Sequence, residues 1–137
     1  MNKKLRCILL IDDDEDDNFF HQIVLNKMNI TESICIAENG FEAIDLLTKG
    51  SVHPELIFLD INMPRMDGWE FVERFSKVYE MSANRVVIII LSTSMNPQEK
   101  KRATNIPQIA DFKTKPVTQE MLTEILDTYF SPENRNG

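Results

Sequence analysis

Acidic side chains follow two apolar segments of this sequence, at the points where the apolar residues stop. Asp60 comes directly after the apolar residues 56–59, and Asp12 and Asp13 come directly after residues 7–11. If these residues meet, they repel one another, because two unit charges 4 Å apart cost roughly 4 kcal/mol at an effective dielectric of 20. The cluster therefore requires a cation. Carboxylate oxygens without a neighbouring His or Cys suit Mg²⁺, which keeps positions open for phosphate oxygens.

A hydroxyl and an ammonium group follow two further apolar segments. Ser92 comes after residues 86–91, and Lys115 comes after residues 109–114. Lys115 can pair with Asp60 or with a phosphoryl oxygen, and Ser92 offers a hydroxyl donor to the same group. An aspartate held beside Mg²⁺ and a lysine is a competent nucleophile towards phosphorus. These residue types indicate phosphoryl transfer, with Asp60 as the attacking group.

Part of the acidic run 12–17 also has a purely structural explanation. Negative charge suits the first turn of a helix, where backbone N–H groups are unpaired, so Asp14 or Asp16 is expected to serve as an N-cap. Asp60, considered alone, has an equally good structural explanation, in which it only begins the turn before the next helix. Capping accounts for one or two of the later carboxylates in the run, but it does not account for Asp12 and Asp13.

Apolar or β-branched segments alternate with helical segments along the whole chain. The segment before Asp60 lies between Pro54 and Pro64 and has no polar face, which is typical of a strand buried on both sides. Alternation of this kind requires parallel strands with crossover helices on both faces. We therefore predict an α/β fold with a doubly wound parallel sheet whose polar strand ends share one edge. The five predicted strands are residues 7–11, 33–37, 56–60, 85–91 and 109–114.

Capping residues and helical periodicity predict the helices between these strands. The helix after Asn96 and Pro97 has few apolar residues besides Ala103 and Ile106, so we expect it to be held loosely and to be able to move. The other expected N-caps are Asn39 and Thr118. The apolar faces are predicted as Phe20, Ile23, Val24 and Met28 in the first helix, and Phe71, Val72 and Phe75 in the third.

Length and charge limit the class of protein. The 137 residues suit a single domain, with a core at about residues 5–130 and a polar tail at 131–137. A net charge of -7 argues against nucleic acid or an anionic membrane as the main partner. The apolar run 7–11 is too short to span a bilayer, and no signal-peptide pattern precedes it. We expect a cytoplasmic protein.

Cysteine and histidine do not suggest a metal site. Cys7 and Cys35 lie in apolar runs without metal-type spacing, so we interpret them as reduced core residues. His21 and His53 are isolated from each other and from the cysteines, and surface or boundary positions are expected for both.

Four short motifs give the sequence a clear family resemblance. It resembles the receiver domains of two-component response regulators, and the similarity extends over residues 7–129. Each motif alone is weak, but their joint occurrence in this order is specific. The resemblance implies a flavodoxin-like fold with the strand order 2-1-3-4-5. The motifs are Ile-Asp-Asp at 11–13, Leu-Asp-Ile-Asn-Met-Pro-Arg-Met-Asp-Gly at 59–68, Leu-Ser-Thr at 91–93 and Lys-Pro at 115–116.

The resemblance also implies roles for the acidic residues. Asp60 would accept a phosphoryl group from a sensor histidine kinase or a histidine phosphotransfer protein. Asp13, Asp60 and the backbone carbonyl of Asn62 would ligate Mg²⁺, with Asp12 acting through water. The protein would catalyse its own phosphorylation and dephosphorylation, without a dedicated multiple-turnover activity.

The remaining motif residues are assigned in the same way. Ser92 falls at the family's Thr/Ser position, whose hydroxyl is drawn to the phosphate, and Lys115 falls at its lysine position, with a cis bond to Pro116. Phe112 stands where many relatives have a switch tyrosine, so a swing of the ring stays available but the hydroxyl is missing. The segment 105–108 also lacks the glycine that is usual before this strand.

We expect phosphorylation to shift a two-state equilibrium of the face that carries Ser92, residues 100–102 and Phe112. Since no output domain follows Gly137, the expected readout is binding to a downstream protein, whose identity stays open, or relay of the phosphate. Two alternatives are an aspartate-nucleophile phosphatase and a degenerate receiver that binds constitutively. The sequence disfavours the first, because it has no cap-domain insertion, and the second, because every key acid and the lysine are present.

Overall fold

A five-stranded parallel sheet forms the centre of the fold. The computed structural model describes residues 4–78, 86–94 and 96–131. The strands are β1 (Ile8–Ile11), β2 (Ile34–Ala37), β3 (Leu56–Asp60), β4 (Val87–Ser92) and β5 (Ile109–Thr114). The helices in the described residues are α1 (Glu15–Met28), α2 (Gly40–Thr48), α3 (Gly68–Val78), α4 (Pro97–Thr104) and α5 (Gln119–Tyr129).

The strand order is β2-β1-β3-β4-β5, and all four neighbouring pairs are parallel. The predicted α/β class, the doubly wound topology and the order 2-1-3-4-5 are therefore confirmed. All five strands end at one edge of the sheet, as alternation of strands and helices requires. The predicted strand 85–91 is observed from Val87 to Ser92, and Arg85 lies outside the described residues.

The sheet is buried on both faces. Every residue of β3 is buried, as the unbroken apolar run predicts. One core cluster packs Ile57 and Leu59 against α2 and α3, including Phe71 and Phe75. A second cluster on the opposite face packs Phe58 with apolar residues of α1 and α5. The predicted apolar face of the third helix is confirmed.

The N-cap of α1 is Asp14, whose side chain accepts hydrogen bonds from the backbone N–H groups of Asp16 and Asp17. This settles the choice between Asp14 and Asp16. The N-caps Asn39, Asn96 and Thr118 are also confirmed.

The face that α1 turns to the core differs in part from the prediction, because Val24 and Met28 pack against the core as predicted but Phe20 and Ile23 do not. Phe20 and Ile23 are 44% and 50% exposed, whereas Asn18, His21 and Leu25 are buried. The expected surface or boundary position of His21 is wrong, because its side chain is 2% exposed. Burial lowers the pKa of His21. His53 is exposed, as expected.

Helix α4 has a minimal buried face, as its composition predicts. Ala103 is the buried residue of its eight, and the guanidinium of Arg102 lies 4.5 Å from the ring centroid of Trp69 on α3. A cation over an aromatic ring is worth about 0.5–1 kcal/mol at an exposed site. Arg102 therefore supplies much of what attaches α4 to its neighbour α3.

Both cysteines are free thiols near the N-terminal ends of β1 and β2. Cys7 is buried, Cys35 is half-buried, and their Sγ atoms lie 3.7 Å apart. Burial raises the pKa of Cys7 to about 11. Of the predicted polar tail, Ser131 belongs to the described residues and 132–137 lie outside them. Among the described residues, the helices are all too short or too polar to cross a membrane.

Candidate functional site

Four chain segments deliver polar side chains to the carboxyl edge of the sheet. Asp60 is the last residue of β3 and Ser92 is the last residue of β4. Asp12 follows β1 directly, and Lys115 follows β5 directly. This edge, outside the carboxyl ends of the strands, is where open α/β sheets bind ligands.

The carboxylates of Asp12, Asp13 and Asp60 form a tight cluster. One oxygen from each residue lies within 4.8 Å of the others. Asp12 and Asp60 are buried, whereas Asp13 is exposed. This distance confirms the prediction that the three acids lie close together. Carboxylates at this separation repel one another strongly.

The surroundings of Asp60 disfavour its ionised form. Burial and the nearby carboxylate of Asp12 raise its pKa to about 6, although Lys115 acts in the opposite direction. The backbone N–H of Asn62 donates to Asp60 Oδ1 at 3.2 Å. The ionised form of Asp60 is therefore poorly stabilised in the metal-free protein, and an added positive charge would stabilise it.

Lys115 carries the positive charge of the site. Its Nζ donates to Asp12 Oδ2 at 2.7 Å and to Asp17 Oδ2 at 2.8 Å, but it lies 3.9 Å from Asp60 Oδ1. Burial alone would lower the pKa of Lys115, but the hydrogen bonds to Asp12 and Asp17 raise it above its usual value. The sequence suggested Asp60 as a partner. In the structure Asp60 is within ion-pair distance but beyond hydrogen-bonding distance.

Asp12 is fixed from three directions. Its Oδ2 accepts from Lys115, its Oδ1 accepts from the backbone N–H of Asp14 at 2.9 Å, and its carbonyl accepts from Asn18 Nδ2 at 2.9 Å. Asn18 is 4% exposed, and its Oδ1 has no hydrogen-bonding partner within the described ranges. The amide therefore orients the β1–α1 turn that carries the acids.

Ser92 is fully buried at the end of β4, beside Thr114 in the sheet register. Its carbonyl accepts from the backbone N–H of Lys115 at 2.7 Å, and its Oγ accepts from the N–H of Ser94 at 3.2 Å. The bond between Lys115 and Pro116 is cis, as predicted. A backbone hydrogen bond therefore joins Ser92 to Lys115.

Two other predicted site residues have less direct places. Asn62 is exposed, and its backbone N–H is committed to Asp60. Its role as a metal ligand stays a prediction. Phe112 is 5% exposed in β5 and belongs to the same core cluster as Ala103 of α4. Its role as a switch residue also stays a prediction.

Sequence reasoning missed Asp17, Asn18 and His21, which lie on the sheet side of α1. The signal was present in the spacing, because Asn18 and His21 stand seven and four residues before the buried Leu25. Positions at this spacing share one face of a helix. The predicted face included the exposed Phe20 and Ile23 because apolar periodicity does not weigh the buried polar residues.

The donor atoms of the cluster fit a hard divalent cation. The three acids offer carboxylate oxygens, and the cluster contains neither His nor Cys within the described residues. Such oxygen donors suit Mg²⁺ and disfavour soft transition metals. The mutual repulsion of the acids and the raised pKa of Asp60 both indicate that negative charge exceeds positive charge at this site, although Lys115 is present.

Comparisons with known proteins agree with this arrangement. The family model described as "Response regulator receiver domain" matches residues 8–127. Response regulator Rcp1 of Synechocystis is 29% identical over 69% of this chain and 66% of its own length. A crystal structure of a two-component response regulator from Cytophaga hutchinsonii superposes with a TM-score of 0.86 at 27% identity, covering 93% of this chain and 98% of that one.

The chain also matches part of a much longer protein. The sensor histidine kinase CheAY of Helicobacter pylori is 29% identical over 87% of this chain. This chain spans only 14% of the length of CheAY.

Proposed function

Because the chain belongs to the response regulator receiver domain family, we propose that Asp60 accepts a phosphoryl group from phosphohistidine. The donor is a sensor histidine kinase or a histidine phosphotransfer protein. A carboxylate oxygen of Asp60 forms a bond to phosphorus while the P–N bond of the donor breaks, and the ring nitrogen keeps the electron pair. The products are an acyl phosphate on Asp60 and an unmodified histidine.

The observation that carries this proposal is the position of Asp60 between two acids and one ammonium group. Asp60 is 7% exposed, so water solvates its carboxylate poorly. A poorly solvated carboxylate with a raised pKa is a better nucleophile than an ordinary surface aspartate. Lys115, whose raised pKa keeps it charged, offers positive charge to the phosphoryl oxygens.

The proposed Mg²⁺ ligands are Asp13, Asp60 and the backbone carbonyl of Asn62, with Asp12 acting through water. When bound, Mg²⁺ neutralises the charge on the transferred phosphoryl oxygens. The chain's own contribution is to hold the three carboxylates together before the ion arrives. The hydrogen bonds that fix Asp12 support this role, because they keep the acids in place despite their repulsion.

We further propose that phosphorylation shifts the face formed by Ser92, α4 and Phe112. The buried Ser92 is the proposed hydroxyl donor to the phosphoryl group, and its backbone is joined to Lys115. A phosphoryl group adds close to two negative charges, which is sufficient to reposition a weakly packed helix. Helix α4, with Ala103 as its buried residue, is such a helix. The readout is binding to a downstream protein or relay of the phosphate.

The proposal is tested by incubating the protein with acetyl phosphate and Mg²⁺ and measuring its intact mass. We expect one phosphoryl adduct on the wild type, released by hydroxylamine as an acyl phosphate should be, and none on Asp60→Asn. The matched control is Asp67→Asn, an exposed aspartate of the same loop whose capping bond to Glu70 an asparagine can keep. It should retain the adduct.

An undiminished adduct on Asp60→Asn, or no adduct on the wild type, would contradict the proposal. Sustained multiple turnover of a phosphorylated metabolite would instead favour a phosphatase. The proposed receiver turns over only its own acyl phosphate.

A further inference from the structure

The Lys115 ammonium has two hydrogen-bonded partners with very different surroundings. The side chain of Asp12 is 6% exposed, whereas that of Asp17 is 36% exposed. Asp12 is also fixed by the N–H of Asp14, and the hydrogen-bonding contacts described for the Asp17 carboxylate are with Lys115. Solvent weakens an exposed ion pair more than a buried one. The bond to Asp17 is therefore the weaker of the two and the first to break when Lys115 moves.

Asp17 lies in the first turn of α1, whereas Asp60 lies at the end of a strand. Asp17 holds Lys115 from the α1 side, and Lys115 stays 3.9 Å from Asp60 Oδ1. A hydrogen bond between an ammonium and a carboxylate needs about 2.7–2.9 Å. Lys115 therefore has to move, or reach an oxygen attached to Asp60, before it can bond there.

We infer that Asp17 is a positioning residue that restrains Lys115 away from Asp60 until a phosphoryl group draws the ammonium across. This inference rests on the proposed function and adds a residue to it. Asp17 acts only through Lys115, and it lies outside the sequence motifs that identify the family. Removing its carboxylate should free Lys115 to engage the phosphoryl group at lower cost.

The test uses beryllium fluoride, which occupies the phosphoryl position on a carboxylate without covalent turnover. Its affinity in the presence of Mg²⁺ is measured calorimetrically for the full chain. We expect Asp17→Asn to bind about threefold to tenfold more tightly than wild type, the range of a screened charged hydrogen bond. Asp17→Glu, which restores the carboxylate, should return the affinity to that of wild type.

The matched control is Asp16→Asn, which removes the same charge from the same turn of α1. Asp16 is exposed, and within the described residues the hydrogen bonds of the Lys115 ammonium go to Asp12 and Asp17. If Asp16→Asn raises the affinity for beryllium fluoride as much as Asp17→Asn does, only the net charge matters and the inference is overturned. A weaker affinity for Asp17→Asn than for the control would also overturn it, because Asp17 would then aim Lys115 productively.

A double-mutant cycle shows whether Asp17 acts through Lys115. In a Lys115→Met background, Asp17→Asn should have no effect beyond that of Asp16→Asn, and a retained gain would refute the inference. The ¹⁵N resonance of the Lys115 ammonium should also shift in Asp17→Asn but not in Asp16→Asn. If wild type neither binds beryllium fluoride nor accepts phosphate, the proposed function fails. If wild type binds beryllium fluoride and accepts phosphate, but Asp17→Asn and Asp16→Asn have the same affinity, only the role of Asp17 fails.

Discussion

The ammonium of Lys115 and the carboxylate of Asp12 form a buried ion pair at 2.7 Å between residues 103 positions apart in the chain. Their side chains are 10% and 6% exposed, so water replaces neither partner easily. The pair joins the end of β5 to the end of β1. This contact offsets part of the repulsion among the acids of the cluster.

Replacing Lys115 with methionine should destabilise the protein strongly. The variant leaves the buried Asp12 without its ammonium partner, which typically costs about 3–5 kcal/mol. Urea unfolding at pH 7 with a chelator measures the loss. Lys113→Met is the control, because Lys113 in the neighbouring strand β5 pairs with the exposed Glu124, and exposed pairs are worth about 0.2–1 kcal/mol. If both variants lose the same free energy of unfolding, the buried pair of Lys115 and Asp12 contributes no more stability than the exposed pair.

Asp60→Asn should stabilise the metal-free protein at neutral pH. The folded-state pKa of Asp60, about 6, lies above the ordinary value of 3.8. Between these two pH values the folded state holds a proton that the unfolded chain has lost, so this residue's contribution to stability falls as pH rises. Above that window the variant should be more stable than wild type by about 1–3 kcal/mol.

Urea unfolding from pH 3.5 to 8 in the presence of a chelator tests this pH dependence. As the pH falls below 3.8 the two proteins should converge, because Asp60 then becomes protonated in the unfolded chain as well as in the folded state. Asp127→Asn, at an exposed position on α5, should follow the wild-type curve. A variant that is less stable than wild type at pH 8 would exclude repulsion as the main effect at Asp60.

Magnesium should raise the thermal stability of the wild type. An ion that binds only the folded state adds about 1.4 kcal/mol at tenfold its Kd. Asp13→Asn should reduce this gain, because it removes the exposed carboxylate of the cluster, while Asp16→Asn should keep it. Melting temperatures over a Mg²⁺ titration give the measurement. A gain that survives in Asp13→Asn would place the ion elsewhere.

Gly68→Ala should disturb the backbone at Asp60 and Ile61. A Cβ at Gly68 would lie 2.8 Å from Ile61 Cα and 3.0 Å from the Asp60 carbonyl oxygen, so the backbone has to shift. We expect a stability loss of about 1–3 kcal/mol and slower uptake of phosphate from acetyl phosphate. Gly40→Ala is the comparison, since its Cβ meets the flexible side chain of Met66 instead. Phosphorylation at the wild-type rate in Gly68→Ala would contradict the expected coupling.

Arg102→Ala should loosen α4. The guanidinium over Trp69 is worth about 0.5–1 kcal/mol, so amide protection in α4 should fall about twofold to fivefold. Hydrogen exchange followed by mass spectrometry gives the readout. Lys101→Ala, at an exposed position of the same helix, should leave protection unchanged. Equal exchange in both variants would mean that the aromatic contact does not hold the helix.

The sequence predicts most of the sheet and its carboxyl edge. The all-apolar run of β3 and the β-branched run of β4 can only be buried strands, so the placement of Asp60 and Ser92 follows from alternation alone. The cap at Asn96 and the small buried face of α4 also follow from local chemistry. These features depend on residues that are neighbours in sequence.

The features that sequence analysis missed depend on contacts between distant residues. Asn18 is buried where its amide donates to the carbonyl of Asp12, and His21 is buried on the same face of α1; periodicity weighs apolar residues only. The choice of Asp17 over Asp60 as a partner of Lys115 depends on distances of 2.8 and 3.9 Å, which no pattern of residue types encodes.

The place of Lys115 after the last strand has a consequence during translation. The ribosome delivers Asp12, Asp13 and Asp60 long before the lysine, and chains begin to fold from the N-terminus. A partly made sheet therefore holds its acids without their internal counter-charge until β5 docks beside β4. Truncated products that end before β5 should be less stable than the full chain and, under the proposed function, unable to take up phosphate.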